Sequence, residues 1–127
     1  YLEFIKNQIN EGLKGVRNAL SYFKEGKSLA IMIDQRVTEG VNVSLFGKSA
    51  YTTTIPAQFV KKFGCIIQPV YIQRVNGTQF KLLFDEHLIF NKEQGIKNIT
   101  EKLNQWLEQK ITQNPDQWIW THNRWKS

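Results

Sequence analysis

The sequence predicts an α/β fold in which a mixed sheet, with a βαβ unit and a C-terminal antiparallel hairpin, is flanked by helices. Three observations predict it. Apolar residues recur at helical spacing in three segments, short apolar runs of strand length lie between them, and an Asn-Gly pair joins two of those runs. The chain has 127 residues, 41% of them hydrophobic and 22% charged, which is the size and composition of one small globular domain.

The first predicted elements are a helix and a buried strand. The helix covers residues 10–25, with Asn10 as its N-cap and Gly26 as its stop. Its apolar face consists of Leu13, Val16, Leu20 and Phe23. The apolar run at residues 29–33 has the length of a strand that is covered on both faces, as in parallel sheets, and it ends at Asp34.

Two further helices are predicted. One covers residues 54–63, because Pro56 fits its first turn and Gly64 fits its end. Its apolar stripe consists of Ile55, Phe59 and Phe63. The other covers residues 95–112 and is broken by Asn114-Pro115. Its apolar residues are Ile96, Ile99, Leu103, Trp106, Leu107 and Ile111.

A hairpin lies between these two helices. Asn76-Gly77 predicts a tight turn between strands at residues 65–75 and 79–84. Pro69 cannot donate to a sheet ladder, so we expect a bulge or a missing neighbour at that position. The single cysteine, Cys65, excludes an internal disulfide framework and a cysteine-based zinc site, and we expect it to be an inert core residue. We expect neither a metal nor a cofactor.

Asp34 is the first candidate for function. Ligands of open α/β sheets bind beyond the C-terminal ends of strands, where Asp34 is expected to lie. About eighteen residues separate it from the next helix, which is a long connection. That connection ends in the polar run Tyr51-Thr52-Thr53-Thr54, at a helix N-terminus able to hold an anion. The alternative is an acid that merely caps a turn.

The net charge and the first residues of the chain indicate which kinds of partner and which class of protein to expect. The net charge of +6 favours anionic partners, whether phosphates, anionic lipid headgroups, nucleic acid or an acidic carrier protein. No apolar run is long enough to span a bilayer, and the first residues do not resemble a signal peptide. Because the chain begins at Tyr1 rather than Met, we expect it to be a piece of a longer protein.

Several short motifs carry a family resemblance when they are taken together. In order they are Asp34-Gln35, Gly40, Leu45-Phe46-Gly47, Thr54-x-Pro56, Pro69 with Arg74, and a closing Pro-x-Gln-Trp-x-Trp-x-His-x-Arg-Trp-Lys from Pro115 to Lys126. This series resembles that of the lipid A biosynthesis acyltransferases, the lauroyl/myristoyl transferases, with Leu45 in place of a usual Phe. The closing motif is the specific one, because chance would rarely place three Trp, a His and an Arg at those spacings.

The resemblance implies a fold, an activity and partners. The fold would be the C-terminal part of the glycerolipid acyltransferase-like fold. The activity would be transfer of a fatty acyl chain from acyl carrier protein, or from CoA, to a hydroxyl of a lipid A precursor glycolipid for outer-membrane lipopolysaccharide synthesis. The parent protein would lie at the cytoplasmic face of the bacterial inner membrane, with no nucleic acid partner, and the fragment itself is expected to be soluble.

The resemblance also implies roles for particular residues. The family relies on a His with an acid five positions later, but His87 is followed there by Lys92, and His122 by Ser127. We therefore expect residues 1–127 to be the C-terminal portion of a single acyltransferase domain, inactive alone because the pair lies upstream. Asp34 would support catalysis. The residues expected to bind substrate are Gln35, Gly47, Thr54, Arg74 and Arg124.

Alternatives stay open for several of these residues and for the function. Arg74 could be a solvated strand-end residue, and His87 is expected at the surface. Trp118 and Trp120 could pack in the core, with Arg124 tolerant of substitution, or the tail could form a belt at a membrane interface. The alternative function is a noncatalytic basic α/β module that binds anionic lipid or nucleic acid. No densely basic tract or aromatic-rich ribonucleoprotein motif favours nucleic acid.

Overall fold

The computed structural model describes residues 13–125 and confirms the α/β class. Along the chain its elements are α1 (Leu13–Lys24), β1 (Val41–Leu45), β2 (Lys48–Thr52), α2 (Ile55–Phe63), β3 (Val70–Asn76), β4 (Gln79–Phe84) and α3 (Ile96–Gln113), followed by a short 3-10 turn, Pro115–Gln117. The chain divides into two compact units, Tyr1–Ile31 and Met32–Ser127. None of the helices in the described part of the chain is long and apolar enough to cross a membrane.

α1 belongs to the first unit and ends where the sequence predicts. Gly26 has a φ of 81°, and its N–H donates to the carbonyl of Phe23 at 3.0 Å. The N–H of Lys27 donates to the carbonyl of Tyr22 at 3.1 Å, so two carbonyls of the last turn are satisfied. The predicted N-cap, Asn10, lies outside the described residues.

The predicted strand at residues 29–33 is wrong, and with it the βαβ unit. These residues form no strand, and Met32 is 70% exposed. Both sheets within residues 13–125 are two-stranded and antiparallel, β1 with β2 and β3 with β4. An apolar run becomes a strand only where a neighbouring strand pairs with its backbone. No strand in the described part of the chain pairs with residues 29–33.

The long connection after Asp34 contains a hairpin that the sequence analysis missed. β1 and β2 pair with Val43 opposite Ala50, and both side chains are buried. The turn places Phe46 at a φ of 53° and Gly47 at 72°, the two positive values that a two-residue type I′ turn requires. The N–H of Phe46 donates to Glu108 Oε1 on α3 at 2.5 Å. The hairpin tip is thereby attached to α3.

α2 and α3 form as predicted. α2 has Pro56 in its first turn and ends at Gly64, whose φ is 64° and whose N–H donates to the carbonyl of Val60 at 2.7 Å. α3 buries its apolar face, and Asn114 is its C-cap. Among residues 13–125 the core has two clusters: Leu45, Ala50, Leu107 and Ile111, and separately Ala57, Val60 and Ile99. Cys65 packs against the second cluster, and burial raises the pKa of its thiol, as expected of an inert core cysteine.

The second hairpin is confirmed, but its first strand is shorter than predicted. β3 begins at Val70, immediately after Pro69, so the missing N–H of Pro69 falls outside the ladder. The carbonyl of Pro69 still accepts a hydrogen bond from the N–H of Asp85 at 3.2 Å. The irregularity expected at Pro69 lies instead near the turn, where the register shifts between Arg74 and Asn76.

Candidate functional site

The closing motif folds back onto the rest of the second unit, starting at Gln117. The side-chain amide of Gln117 accepts from the N–H of Arg74 at 2.8 Å and donates to the carbonyl of Arg74 at 3.1 Å. Gln73 Nε2 donates to Asn114 Oδ1 at 3.0 Å. At Arg74, the backbone edge of β3 that does not face β4 is therefore satisfied by a side-chain amide rather than by another strand.

Three Trp rings of the motif form an edge-to-face group. The ring centroid of Trp118 lies 4.8 Å from that of Trp120, with an interplanar angle of 87°, and 5.8 Å from that of Trp125, with an angle of 81°. Trp118 and Trp125 pack against the Leu45 cluster, and Trp125 Nε1 donates to the carbonyl of Leu45 at 3.0 Å. Trp120 stays 52% exposed, although its Nε1 donates to the carbonyl of Pro115 at 2.6 Å. Trp118 is thus partly buried against the core, whereas Trp120 is about half exposed.

Arg124 is buried, with 0% of its surface exposed. One terminal nitrogen donates to the carbonyl of Tyr51 at 2.5 Å, and the other donates to Thr52 Oγ1 at 2.8 Å. Both acceptors belong to β2, whose end leads into α2. Burial of the guanidinium and its two acceptors on β2 argue against the expectation that Arg124 tolerates substitution in folding.

Thr52 and Asn104 complete a buried polar cluster with Arg124. Thr52 Oγ1 donates to the carbonyl of Ala50 at 3.1 Å and accepts from Asn104 Nδ2 at 3.2 Å, in addition to the Arg124 bond. Its hydroxyl therefore uses its one donor and both acceptor positions. Asn104 Nδ2 also donates to the carbonyl of Ser44 at 2.9 Å. Within residues 13–125, Asn104 Oδ1 and Arg124 Nε have no hydrogen-bond partner.

Sequence reasoning missed this cluster, although one signal was present. Asn104 directly follows Leu103 on the apolar face of α3, and Thr100 lies one turn earlier on the same face. Polar side chains within an apolar helical stripe indicate a buried polar contact. No local pattern marks the partner, since Arg124 is brought in by the fold of the tail.

Asp34 lies in the loop before β1, not at a strand end, and it is half-buried. Burial lowers the pKa of the Arg124 guanidinium, and the Asp34 carboxylate acts in the opposite direction through space. His122 lies two residues before Arg124, and its Nε2 accepts the backbone N–H of Arg36 at 3.3 Å. The tail thus contacts the Asp34 loop through His122, and Asp34 and Arg124, two of the predicted site residues, are close enough for their charges to interact.

Gly40 holds the same loop close to β2. A Cβ at this position would lie 2.2 Å from the carbonyl oxygen of Thr52 and 3.1 Å from Val37 Cγ2. Such a distance is impossible for a real side chain, so only glycine permits this approach. The Gly40 motif is therefore explained by contact with the strand that also binds Arg124.

The other predicted site residues lie apart from this cluster. Gln35 is exposed and contacts Met32 Sδ at 3.9 Å, and Gly47 forms the hairpin turn. Thr54 is at the N-cap position of α2, but its Oγ1 accepts from Gln58 Nε2 at 2.8 Å and makes no cap bond.

Arg74 lies on the second hairpin. Its guanidinium stacks 4.4 Å from the Phe80 ring and donates to the carbonyl of Gly77. His87 is exposed, as expected. No cluster of three potential metal ligands is present in the part of the chain that the structure describes.

Comparison with known proteins agrees with the motif series. The sequence model of the family described as bacterial lipid A biosynthesis acyltransferase matches residues 3–127. A search of curated proteins gave no match to the chain. The match spans nearly every residue, including the loop with Asp34 and the whole closing motif. The chain therefore belongs to the bacterial lipid A biosynthesis acyltransferase family.

Proposed function

We propose that this chain is part of an enzyme that transfers a fatty acyl chain from acyl carrier protein, or from CoA, to a hydroxyl of a lipid A precursor. The reaction would serve outer-membrane lipopolysaccharide synthesis at the cytoplasmic face of the inner membrane. Family membership supports an acyltransferase. The net charge of +6 suits an acidic carrier protein, a phosphorylated glycolipid and an anionic membrane surface.

The observation that carries the proposal is the contact between the closing motif and the Asp34 loop. His122 accepts the N–H of Arg36, and the buried Arg124 interacts with the charge of Asp34. The closing motif thus contacts the loop that carries the half-buried Asp34. We propose that Asp34 supports catalysis by orienting the base or a basic group that meets the substrate phosphate.

Arg74 and Gln35 remain our proposed substrate contacts, since both side chains are exposed. Arg74 would meet a phosphate of the glycolipid. Gly47 and Thr54 would shape the site through the hairpin turn and the start of α2. Arg124, whose guanidinium is buried, would act on the substrate only through the residues around it.

We propose that residues outside this sequence supply the general base. Neither His87 nor His122 is followed by an acid at the family's spacing. His122 Nε2 also accepts the backbone N–H of Arg36, which engages that nitrogen in holding the loop. Residues 1–127 alone would then be the inactive C-terminal portion of the transferase domain.

The test is an acyl-transfer assay that compares the full-length protein with residues 1–127. Each is incubated with acyl carrier protein or CoA thioesters and a lipid A precursor, and the acylated glycolipid is measured by mass spectrometry. We expect turnover by the full-length protein and a rate roughly 10²–10⁴-fold lower for residues 1–127, the usual effect of removing a general base. Similar rates for both would contradict the assignment of the base, and no transfer by the full-length protein would contradict the proposed activity.

A second candidate function, a noncatalytic module that binds anionic lipid, is favoured by one exposed patch. The patch consists of Phe46 (38% exposed), Ile119 (70%) and Trp120 (52%), with Phe46 and Trp120 at 6.4 Å between ring centroids. Aromatic rings at a surface suit a membrane interface. Sedimentation of residues 1–127 with anionic vesicles, without transfer by the full-length protein, would favour this function over catalysis.

A further inference from the structure

The second hairpin has an exposed apolar face. In the register of β3 and β4, Val70 lies opposite Phe84, Ile72 opposite Leu82, and Arg74 opposite Phe80. Because alternate residues of a strand point to the same side, these six side chains lie on one face of the hairpin, its outer face. The five apolar members are between 38% and 67% exposed. A contiguous apolar surface of this extent marks a place where a ligand or a partner binds.

The opposite, inner face of the hairpin is turned towards the protein. Tyr71, Gln73 and Leu83 alternate with the residues of the outer face, and all three are half-buried. Gln73 Nε2 donates to Asn114 Oδ1 at 3.0 Å, which attaches this face to the end of α3. The hairpin is therefore held in one orientation, with its outer face directed away from the described residues.

Arg74 is the one charged residue of the outer face. Its guanidinium stacks 4.4 Å from the centroid of the Phe80 ring and donates to the carbonyl of Gly77. No salt bridge within residues 13–125 involves Arg74. An exposed guanidinium without an acidic partner, at one end of an apolar surface, complements a ligand that carries an anionic group on an apolar chain.

An open cavity lies at the Arg74 end of the outer face. Its volume is about 670 Å³, and its lining includes Ile72, Phe80, Asp116 and Gln117 beside Arg74. Ligand pockets usually have about 300–1,000 Å³, so this cavity is large enough for a phosphorylated sugar. Gln117 is fixed there, because its amide bonds the backbone N–H and the carbonyl of Arg74 at 2.8 and 3.1 Å.

The dimensions of the outer face suit an extended hydrocarbon chain. The face is two strands wide, with about 4.8 Å between the strands, and Val70 to Arg74 spans about 13 Å at roughly 3.3 Å per residue. A helix, about 10 Å across, would overhang both strands. A fatty acyl chain of medium length would lie along the face and contact both strands throughout.

We propose that the outer face of the hairpin binds an acyl chain of the anionic glycolipid acceptor. The chain lies along Val70, Ile72, Leu82 and Phe84, the phosphate meets Arg74, and the Asp116 carboxylate accepts sugar hydroxyls in the cavity. This inference rests on the proposed function and deepens it, because it assigns a surface to the hydrocarbon of the acceptor rather than to its phosphate alone.

The first experiment is a calorimetric titration of the full-length protein with dodecyl phosphate below its micelle concentration. We expect Ile72→Gln, Leu82→Gln and Arg74→Gln each to weaken binding about tenfold. Decyl phosphate should bind about tenfold more weakly than dodecyl phosphate, because two methylenes fewer are buried. Inorganic phosphate and the uncharged dodecyl maltoside should each bind far more weakly, since each offers only one half of the ligand.

Ile66→Gln is the matched control. Ile66 and Ile72 are both 59% exposed, but Ile66 precedes β3 and lies outside the paired strands. Ile66→Gln should bind dodecyl phosphate as the wild-type protein does. An equal loss in Ile66→Gln, or wild-type affinity in both Ile72→Gln and Leu82→Gln, would overturn the proposal.

Photolabelling locates the chain without any substitution and so does not depend on the folding of a variant. Dodecyl phosphate with a diazirine in its chain should label β3 and β4 in the wild-type protein, as read by peptide mass spectrometry. Excess dodecyl phosphate should suppress this label. Labelling confined to other segments would show that the chain lies elsewhere, and the proposal would fall.

The same variants test other occupants of the face. In sedimentation velocity, Leu82→Gln should leave the oligomeric state unchanged, and dissociation of a dimer would show that a second copy covers the face. Release of Leu82→Gln from phosphatidylglycerol vesicles, without competition by monomeric dodecyl phosphate, would assign the face to a bilayer. Failure of the wild-type protein to bind dodecyl phosphate would show that the face is covered by protein. Each of these results would overturn the proposal.

The acyl-transfer assay separates this inference from the proposed function. In the full-length protein, Ile72→Gln and Leu82→Gln should raise KM for the lipid A precursor about tenfold with little change in kcat. If the protein transfers no acyl chain but the face binds dodecyl phosphate, the proposed function falls and the site stands. If it transfers acyl chains while both variants keep wild-type KM and wild-type affinity for dodecyl phosphate, this inference alone falls.

Discussion

Replacing Trp118 with alanine should cost more stability than any other single change in the closing motif. The indole packs against the cluster of Leu45, Ala50, Leu107 and Ile111, and its ring edges meet both Trp120 and Trp125. Two edge-to-face pairs contribute about 0.5–1.5 kcal/mol each beyond area burial. Truncation of a fully buried Trp costs about 3–5 kcal/mol, so we expect about 3 kcal/mol for this partly buried ring. That is a large share of a typical domain stability of about 5–15 kcal/mol.

Trp120→Ala is the matched comparison. It loses the ring pair with Trp118, the ring contact with Phe46 and one N–H bond to the carbonyl of Pro115, but half of the ring is already in water. We expect a cost of about 1 kcal/mol. Urea melts followed by far-ultraviolet circular dichroism measure both values. A Trp118→Ala variant as stable as wild type, or a Trp120→Ala variant that is less stable than Trp118→Ala, would refute the assignment of Trp118 to the core.

Two further predictions concern a close contact and an ion pair. Gly40→Ala should lower the free energy of unfolding by about 1–3 kcal/mol, because the new Cβ would lie 2.2 Å from the carbonyl oxygen of Thr52. Gly95→Ala is the control and should be nearly neutral, because a Cβ there meets open space. Equal urea midpoints for the two variants would contradict this prediction. Lys110 lowers the pKa of the Asp85 carboxyl through a 2.6 Å contact. Because that pKa is lower in the folded state, the contribution is present above the unfolded value of about 3.9 and is lost as pH falls through the folded pKa. We expect the Lys110–Asp85 ion pair to contribute about 1 kcal/mol to the free energy of unfolding, and this contribution should be absent in Asp85→Asn. The same pH dependence of urea melts in the wild-type protein and in Asp85→Asn would contradict the prediction.

Local signals in the sequence were sufficient to predict α2, α3 and the second hairpin. Pro56 and Gly64 set the ends of α2 through backbone preferences that need no tertiary partner. Asn76-Gly77 likewise sets the turn of the second hairpin.

Non-local contacts account for what was missed. The run at residues 29–33 is apolar enough for a strand, but pairing depends on a neighbour that local sequence does not specify. The β1–β2 hairpin shows the alternation Val41-x-Val43-x-Leu45, yet its turn uses Phe46 at positive φ, which propensity disfavours. Contacts with Glu108 and Trp120 accompany this turn, and both come from distant parts of the chain.

In the candidate site, too, local motifs identified one residue, whereas the environment of another depends on non-local contacts. Asp34 was identified because a motif marks it, although the strand that was expected to place it there is absent. The burial of Arg124 could not be predicted, because an Arg near a chain end is ordinarily solvated. Its acceptors on β2 lie more than seventy positions away along the chain.

The most direct test of the account is the turnover of the full-length protein with Asp34→Asn. Acyl transfer from acyl carrier protein to a lipid A precursor would be measured beside a thermal melt of the same sample. We expect kcat of Asp34→Asn to be lower by about tenfold to a hundredfold, in a variant that stays folded at the assay temperature. A variant that melts earlier but keeps wild-type turnover per folded molecule would show that Asp34 serves only the packing of its loop.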